Sequence, residues 1–280
     1  MPRLLTVTKA AKACADILGV FGEPPIASLT VERERCSTFD HGAGLRRKER
    51  RTAVGLGQTC RRGRGAFPPH GRIPNFAGAE AAAARLFEIE PWKSASAIKV
   101  NPDSPQRPLR AEALRRGITV FVPTPRLRGG FKKLDPHRIP PDRMQEAAGL
   151  SRGDRWSEEV ALADMPRLDA IVCGSVAVTR DGRRCGKGEG YSDLEFAILR
   201  ELGHPPMPVA TTVHDLQIVA SVPRDPTDQP LSVIATPTRA IRIKRPSAAP
   251  TGIDWTRLSA EDLEEMPILV DLRRMTTSNT

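Results

Sequence analysis

Aromatic side chains are scarce in this chain of 280 residues: Trp, Tyr and Phe together make up 4 % of it, with a single tyrosine. That scarcity excludes the aromatic-bearing sheets that stack on unpaired bases. No apolar run approaches the roughly 20 residues that cross a bilayer, and residues 1–20 lack the solid apolar centre of a secretory signal. The reading is therefore a soluble, cytoplasmic protein. Cys14, Cys36, Cys60, Cys173 and Cys185 show no metal-ligand spacing, which predicts free thiols in a reducing compartment. The five histidines are too scattered to predict a zinc site. No internal repeat is present.

The formal net charge of +10 invites a nucleic-acid reading, but the charge is unevenly spread. Residues 1–65 hold 13 Lys/Arg against 6 Asp/Glu, whereas residues 66–280 hold 30 against 27. Basicity thus belongs mostly to the first segment, which also lacks a sustained helical or strand period. Residues 1–65 are read as a poorly ordered basic leader, and residues 66–280 as the folded domain. Nucleic acid is not an expected partner.

From residue 66 onward, short apolar runs alternate with helical ones. Helices are expected at 78–87 and 109–116, and strands at 95–100, 118–122, 168–178, 209–213 and 231–235. Residues 101–108 read as a Pro-rich loop and 123–140 as a long substrate-side loop. Leu258, Leu263, Ile268 and Leu272 suggest a C-terminal segment docked on the domain, and Trp92, Trp156 and Trp255 read as packing residues. The pattern predicts an α/β layered fold with a largely parallel central sheet flanked by helices. Ligands of such sheets bind beyond the carboxyl ends of the strands.

One of those ends carries the most informative stretch, residues 182–193. Gly186, Gly188 and Gly190 alternate with Lys187 and Glu189, and Tyr191 and Asp193 lead into a helical run. Strand, glycine loop and helix together present backbone N–H groups to an anion. Neither the dinucleotide fingerprint nor a Walker loop is present, and a tight strand–helix connection would use the same glycines. Arg184 and Lys187 supply positive charge, Asp193 could hold a metal, and the sole tyrosine, Tyr191, sits in this loop. His214 and Asp215 read either as a proton-transfer pair or as capping groups, since neighbours on a strand end face opposite ways. Gln217 is a candidate binding group for phosphate or pterin. Arg126 and Arg128 read as either ligand contacts or a solvated loop.

These segments, taken in order, resemble the 5-formyltetrahydrofolate cyclo-ligase (methenyltetrahydrofolate synthetase) family. The resemblance rests on the glycine loop with Tyr191 and Asp193, on residues 213–219, on Val222 and Pro223, on Asp228, and on residues 234–238. Residues 99–106, 122–128 and 186–191 are similar to a divergent branch, the methenyltetrahydrofolate synthase domain-containing proteins. The likeness extends over about residues 67–274.

The resemblance implies ATP- and Mg²⁺-dependent conversion of 5-formyltetrahydrofolate, a small-molecule reduced folate, to 5,10-methenyltetrahydrofolate with release of ADP and phosphate. On that basis Arg184, Lys187 and Tyr191 are the catalytic candidates. The nucleotide contacts are Arg47, Arg51, Gly186, Gly188, Glu189, Gly190 and Gln217, and the metal ligands are Asp193 and Asp228. Two departures stand out. Ser192 replaces a second tyrosine of active members, and residues 102–107 replace a folate-gripping loop, where Asp103 could substitute for the carboxylate. Arg47 and Arg51 keep the four-residue spacing of a helix that reaches ATP, but the glycine-rich residues 54–65 are poor helix material. Those residues are expected to be a frame-shifted reading of a normal helix, and residues 1–45 upstream sequence. The alternative function is a catalytically quiet, nucleotide-binding or interaction protein of the same fold.

Overall fold

The computed structural model describes residues 72–150 and 154–277. The leader at 1–65, with Arg47, Arg51 and the expected frame shift, lies outside the described residues. Among those described, β1 (Ala97–Val100), β2 (Thr119–Pro123), β3 (Phe131–Leu134), β4 (Ser157–Val160) and β5 (Ala170–Cys173) belong to one sheet. The short β6 (Ala177–Val178) and β7 (Arg184–Cys185) pair separately as an antiparallel hairpin. With β8 (Val209–Thr212), β9 (Val233–Ala235) and β10 (Ala240–Arg242), the main sheet has the order β10-β9-β8-β5-β1-β2-β3-β4. The five central strands β9, β8, β5, β1 and β2 are parallel, and the outer three are antiparallel.

The helices are α1 (Ala79–Leu86), α2 (Arg107–Arg115), α3 (Met144–Ala147), α4 (Tyr191–Glu201), α5 (Ala260–Glu265) and α6 (Pro267–Thr277). Two apolar layers follow from the period-2 alternation of the strands. Ala170 and Val172 of β5 join Ile98 and Val100 of β1 in the layer that holds Leu86, Trp92, Leu109 and Leu114. Ile171 and Cys173 point the other way, into the layer with Phe196 and Leu199 of α4 and Leu269 and Leu272 of α6. Each large side chain so buried stabilises the fold by about 1.5–3 kcal/mol. Leu258, Leu263 and Ile268 dock on this second layer as the sequence pattern suggests, and Trp255 packs there too.

Several boundaries differ from the sequence reading. The run 168–178 is two strands, because the chain leaves the main sheet at Gly174 and Ser175 and re-pairs as β6. Residues 123–140 are not one loop: β3 returns antiparallel to β2, burying Phe131 and Leu134 while Lys132 and Lys133 remain partly exposed. Its charged centre hid the strand. Helix α2 begins inside the predicted Pro-rich loop, since Pro108 in the first turn forfeits no intrahelical hydrogen bond. The charged strands β4 and β10 were not foreseen.

Lys99 is the exception within the apolar pattern of β1. Its side chain is fully buried on the α4 side of the sheet, ion-paired with Glu195 and hydrogen-bonded to Asn101 Oδ1 at 2.8 Å. Burial pushes the Glu195 carboxyl above its usual range, and Lys99 opposes that shift. Removing one partner strands a buried charge. Lys99→Ala should therefore destabilise the fold by about 3–5 kcal/mol in denaturant unfolding, whereas Lys99→Met with Glu195→Leu should cost far less. Equal losses in the two variants would show that the pair is not acting as a charge pair.

Candidate functional site

The order of the parallel strands places a topological reversal at β1. From β1 the chain moves to β2 on one side, then returns to β5 on the other, so the loops leaving β1 and β5 diverge. A crevice at the carboxyl ends of these two strands is the expected ligand position in an open α/β sheet. Asn101 and Asp103 enter it from β1, Gly174 and Ser175 from β5, and the glycine loop with the start of α4 closes it.

Gly174 is the centre of this arrangement. A Cβ there would lie 2.7 Å from Asp103 Oδ2, 2.9 Å from Ile73 Cγ1 and 3.1 Å from Gln106 Oε1. Only a hydrogen fits beneath those groups. Asp103 begins the 3₁₀ turn Ser104–Gln106, whose three-residue period sets Gln106 over the same side. Gln106 Nε2 donates to Thr212 Oγ1 at 3.2 Å, while its Oε1 is buried with no hydrogen-bond partner among the described residues. Arg110 of α2 is buried beneath, donating to the carbonyls of Asn101, Asp103 and Ala148 and so fixing this loop. Burial lowers that guanidinium to about 9, against the pull of Asp103, and leaves it charged at neutral pH.

On the opposite wall Arg184 is buried in β7. It donates to Asp193 Oδ1 at 2.8 Å and to the Gly174 carbonyl at 3.2 Å, while Nε has no hydrogen-bond partner among the described residues. Burial works against its charge, but Asp193 more than offsets that and holds the guanidinium protonated. The same Asp193 oxygen accepts from the Gln229 backbone N–H at 3.0 Å. Gln229 Nε2 reaches Ser192 Oγ at 2.7 Å, and Gln229 Oε1 is a third buried polar atom without a partner among the described residues. Ser192 Oγ in turn lies 3.4 Å from Asn101 Oδ1, linking this wall to Lys99.

The glycine loop behaves as its composition predicts. Gly188 and Gly190 have φ of 101° and 73°, which side chains resist. Gly190 is the N-cap of α4, with no side chain capping the first turn. Lys187 Nζ stands 4.0 Å from Asp103 Oδ1 and 3.1 Å from Glu189 Oε2. Glu189 thus pairs with Lys187 at the exposed rim, whereas Tyr191 is half-buried against the second apolar layer.

Three of the other candidates, Gln217, His214 and Asp215, have structural partners. Gln217, expected to contact phosphate or pterin, donates through Nε2 to the Ser175 and Val176 carbonyls and accepts the His214 N–H at 2.7 Å. The buried amide thus supplies the chain just beyond β5 with hydrogen bonds. His214 accepts the Leu216 N–H through Nδ1, a cap, and Asp215 accepts from Thr236 and Thr238 and pairs with Arg239. The two diverge, as neighbours on an extended chain must. Arg126 and Arg128 are exposed beside the buried Leu127, and Arg126 and Leu127 both have φ of 54°.

The carboxylates at the crevice could hold a hydrated divalent cation. Among the described residues no three His, Cys, Asp or Glu side chains gather as a metal site. Asp193 offers one uncommitted oxygen, and Asp228, whose Oδ2 accepts the Asp225 N–H at 2.7 Å, acts electrostatically on the same Arg184 guanidinium. One or two carboxylates supplemented by substrate phosphates are the usual environment of Mg²⁺.

A model of the 5-formyltetrahydrofolate cyclo-ligase family matches residues 47–237. The mouse (Mus musculus) methenyltetrahydrofolate synthase domain-containing protein is 44 % identical over 212 residues, 74 % of this chain and 57 % of the relative. Its Homo sapiens counterpart is 39 % identical over 215 residues, 74 % of this chain and 55 % of the relative. The chain therefore spans a little over half the length of these curated relatives. Among solved structures, the NMR structure of Aquifex aeolicus 5,10-methenyltetrahydrofolate synthetase aligns at 18 % identity and a TM-score of 0.41, covering 62 % of this chain and 84 % of that one.

The crevice yields two expected outcomes. Gly174→Ala must displace Asp103 or Gln106, and should cost about 1–3 kcal/mol in denaturant unfolding. An unchanged midpoint would show the roof to be yielding. Burial raises the Asp103 carboxyl above its usual value of 3.8, against the pull of Lys187, Arg110, Lys99 and Arg184. The folded state therefore holds the proton more tightly than the unfolded one, and ionisation of Asp103 lowers stability as pH rises through its folded pKa. Asp103→Asn should raise the Tm at pH 7, with the gain vanishing below pH 3.8. A gain independent of pH would assign the effect to packing instead.

Proposed function

Because the chain belongs to the 5-formyltetrahydrofolate cyclo-ligase family, we propose that it is an ATP-dependent ligase that closes 5-formyltetrahydrofolate to 5,10-methenyltetrahydrofolate. The observation that carries this reading is that three buried polar atoms, Gln106 Oε1, Arg184 Nε and Gln229 Oε1, have no hydrogen-bond partner among the described residues and surround a crevice bordered by a glycine loop and Lys187. Buried polar groups are nearly always hydrogen-bonded, so groups of this kind at a strand-end crevice are ready to meet a ligand.

In the proposed reaction the formyl oxygen attacks the γ-phosphorus of ATP, and the bond to the β-phosphate bridging oxygen breaks to release ADP. N10 of the folate then attacks the activated carbon, loses its proton, and inorganic phosphate departs with the former formyl oxygen. Phosphoryl transfer of this kind requires alignment and charge neutralisation more than covalent help. Backbone N–H groups of residues 186–190 cradle phosphate oxygens, Lys187 neutralises charge at the rim, and Arg184 does so from within the wall. Asp193 and Asp228 would hold Mg²⁺, which when bound offsets phosphate charge. Asp103 and Gln106 face the folate side and supply the acceptors that orient its ring. Tyr191 stands at the junction of the two substrates.

A catalytically quiet reading has one specific observation in its favour. Arg184 and Asp193 satisfy each other in a buried pair, and Lys187 is engaged by Asp103 and Glu189, so the charges that would meet MgATP are partly neutralised already. Turnover separates the readings. Incubated with 5-formyltetrahydrofolate and MgATP, the full chain should generate the methenyltetrahydrofolate absorbance, and Lys187→Ala should lower kcat/KM by about 10²-fold, typical for a lost charge-stabilising donor. Asp228→Asn should act similarly; Asp193→Asn is the poorer test because it strands the buried Arg184. Binding of MgATP without folate-dependent turnover would refute the ligase and leave the quiet reading.

A further inference from the structure

A second recess, of about 470 Å³, lies apart from the crevice. Its walls are the hairpin turn between β6 and β7, the segment 215–220 that follows β8, and Arg239 before β10. None of Asp103, Gln106, Gly174, Arg184, Lys187 or Asp193 lines it. Three arginines do: Arg180, Arg183 and Arg239.

The two carboxylates in the recess are already occupied. Asp181 accepts the Thr179 hydroxyl and pairs with Arg183 Nε at 3.0 Å. Asp215 accepts from Thr236 at 3.0 Å and Thr238 at 2.8 Å, and pairs with Arg239 Nε at 3.3 Å. Arg183 gives one terminal nitrogen to the Val222 carbonyl at 2.9 Å. Arg239 meets its carboxylate through Nε, and its side chain is about half exposed at 49 %. Arg180 has no hydrogen bond or ion pair among the described residues. Three cations against two satisfied anions leave the recess an acceptor of negative charge.

Shape and backbone support add to this. The turn is held in place: the Gly182 carbonyl accepts the Leu231 N–H at 3.0 Å, and its φ of 91° with Ile243 close by admits no side chain. The opposite wall is extended chain fixed by the Val219 N–H to Val178 carbonyl bond at 2.8 Å. Ile218, Val219 and Ala220 make that wall apolar. An apolar wall facing guanidinium forks on a rigid hairpin suits a ligand with a flat, uncharged body and a compact dianion. Guanidinium forks match phosphate oxygens in bidentate fashion, and the volume falls within the range of small-molecule pockets.

We propose that this recess is a binding site for a small organic phosphate of nucleotide size, separate from the glycine-loop crevice. Arg180 and Arg239 grip the phosphate, Arg183 braces the turn, and Ile218 and Val219 carry the organic body.

AMP is the probe, titrated by calorimetry into the full chain without Mg²⁺ or folate. Saturable binding should weaken at least tenfold in the Arg180→Ala, Arg239→Ala double variant and stay within twofold of the parent in Lys187→Ala. Arg180 is exposed, and Asp215 retains both threonine hydroxyls in the variant, so the fold should survive; an unchanged melting curve checks this. Adenosine should bind at least tenfold more weakly than AMP. Loss of AMP binding in Lys187→Ala with none in the arginine variant would place the ligand in the crevice and overturn the proposal. Adenosine binding as tightly as AMP, or no saturable AMP binding, would overturn it as well. Because the crevice is tested by Lys187 and the recess by the two arginines, failure of either assignment leaves the other readable.

Discussion

The buried pair of Lys99 and Glu195 is the constraint around which the crevice is arranged. A lysine in the middle of a central parallel strand is tolerable only if its charge is met, and the partner comes from α4, the helix that follows the glycine loop. That fixes the rotation of α4 against the sheet. Once Glu195 faces Lys99, helical periodicity sets Ser192 one turn earlier on the same side, where it meets Asn101 and Gln229, and Asp193 beside it in the first turn meets Arg184. The pair does more for geometry than for net stability, since hydrophobic replacement of such pairs is often neutral or better. Its value lies in holding the glycine loop and the β1 loop in one register.

A second consequence is that the site stores unfavourable electrostatics. Asp103 is buried by the same close approach at Gly174 that orients it, and burial favours its neutral form. Arg184 is also buried, but its charge is matched by Asp193. One wall of the crevice is therefore electrostatically satisfied and the other is not, although both carry hydrogen-bonding atoms without partners. Sites kept for ligand recognition commonly trade stability for function in this way.

Much of the architecture was legible in the residues. Apolar strand runs alternating with helices identified the α/β layers, and the alternation of Ala170, Ile171, Val172 and Cys173 anticipates two covered faces. The glycine loop and α4 were also readable, because glycines at Gly188 and Gly190 mark positive φ directly. What was hidden depended on contacts distant in sequence. Strands β3, β4 and β10 carry lysine, glutamate or arginine at or near the sheet's edges, where charge is compatible with pairing and erases the apolar pattern. Gln217 looks like a ligand contact in one dimension, yet the end of β5 needs its amide. Gln106 and Gln229 were overlooked because nothing near either residue marks it. A signal did exist for the floor of the site: a lysine inside an apolar strand and a glutamate on the apolar side of a helix are each improbable alone, and together they call for each other.

Ser192 fits the crevice for the same physical reason. Its hydroxyl accepts from Gln229 and approaches Asn101, so it occupies a node in a continuous chain running from Lys99 to Asp193. A bulkier side chain at that node would have to displace Gln229 or break the link to Asn101. Ser192 and the Lys99–Glu195 pair are thus parts of one arrangement, in which polar side chains from β1, α4 and the loop before β9 fill the space beneath the glycine loop. Low dielectric strengthens each of those hydrogen bonds and makes each unpartnered atom more costly. Gln106 Oε1, Arg184 Nε and Gln229 Oε1, which have no hydrogen-bond partner among the described residues, lie at the borders of that network, the positions from which a ligand would complete it.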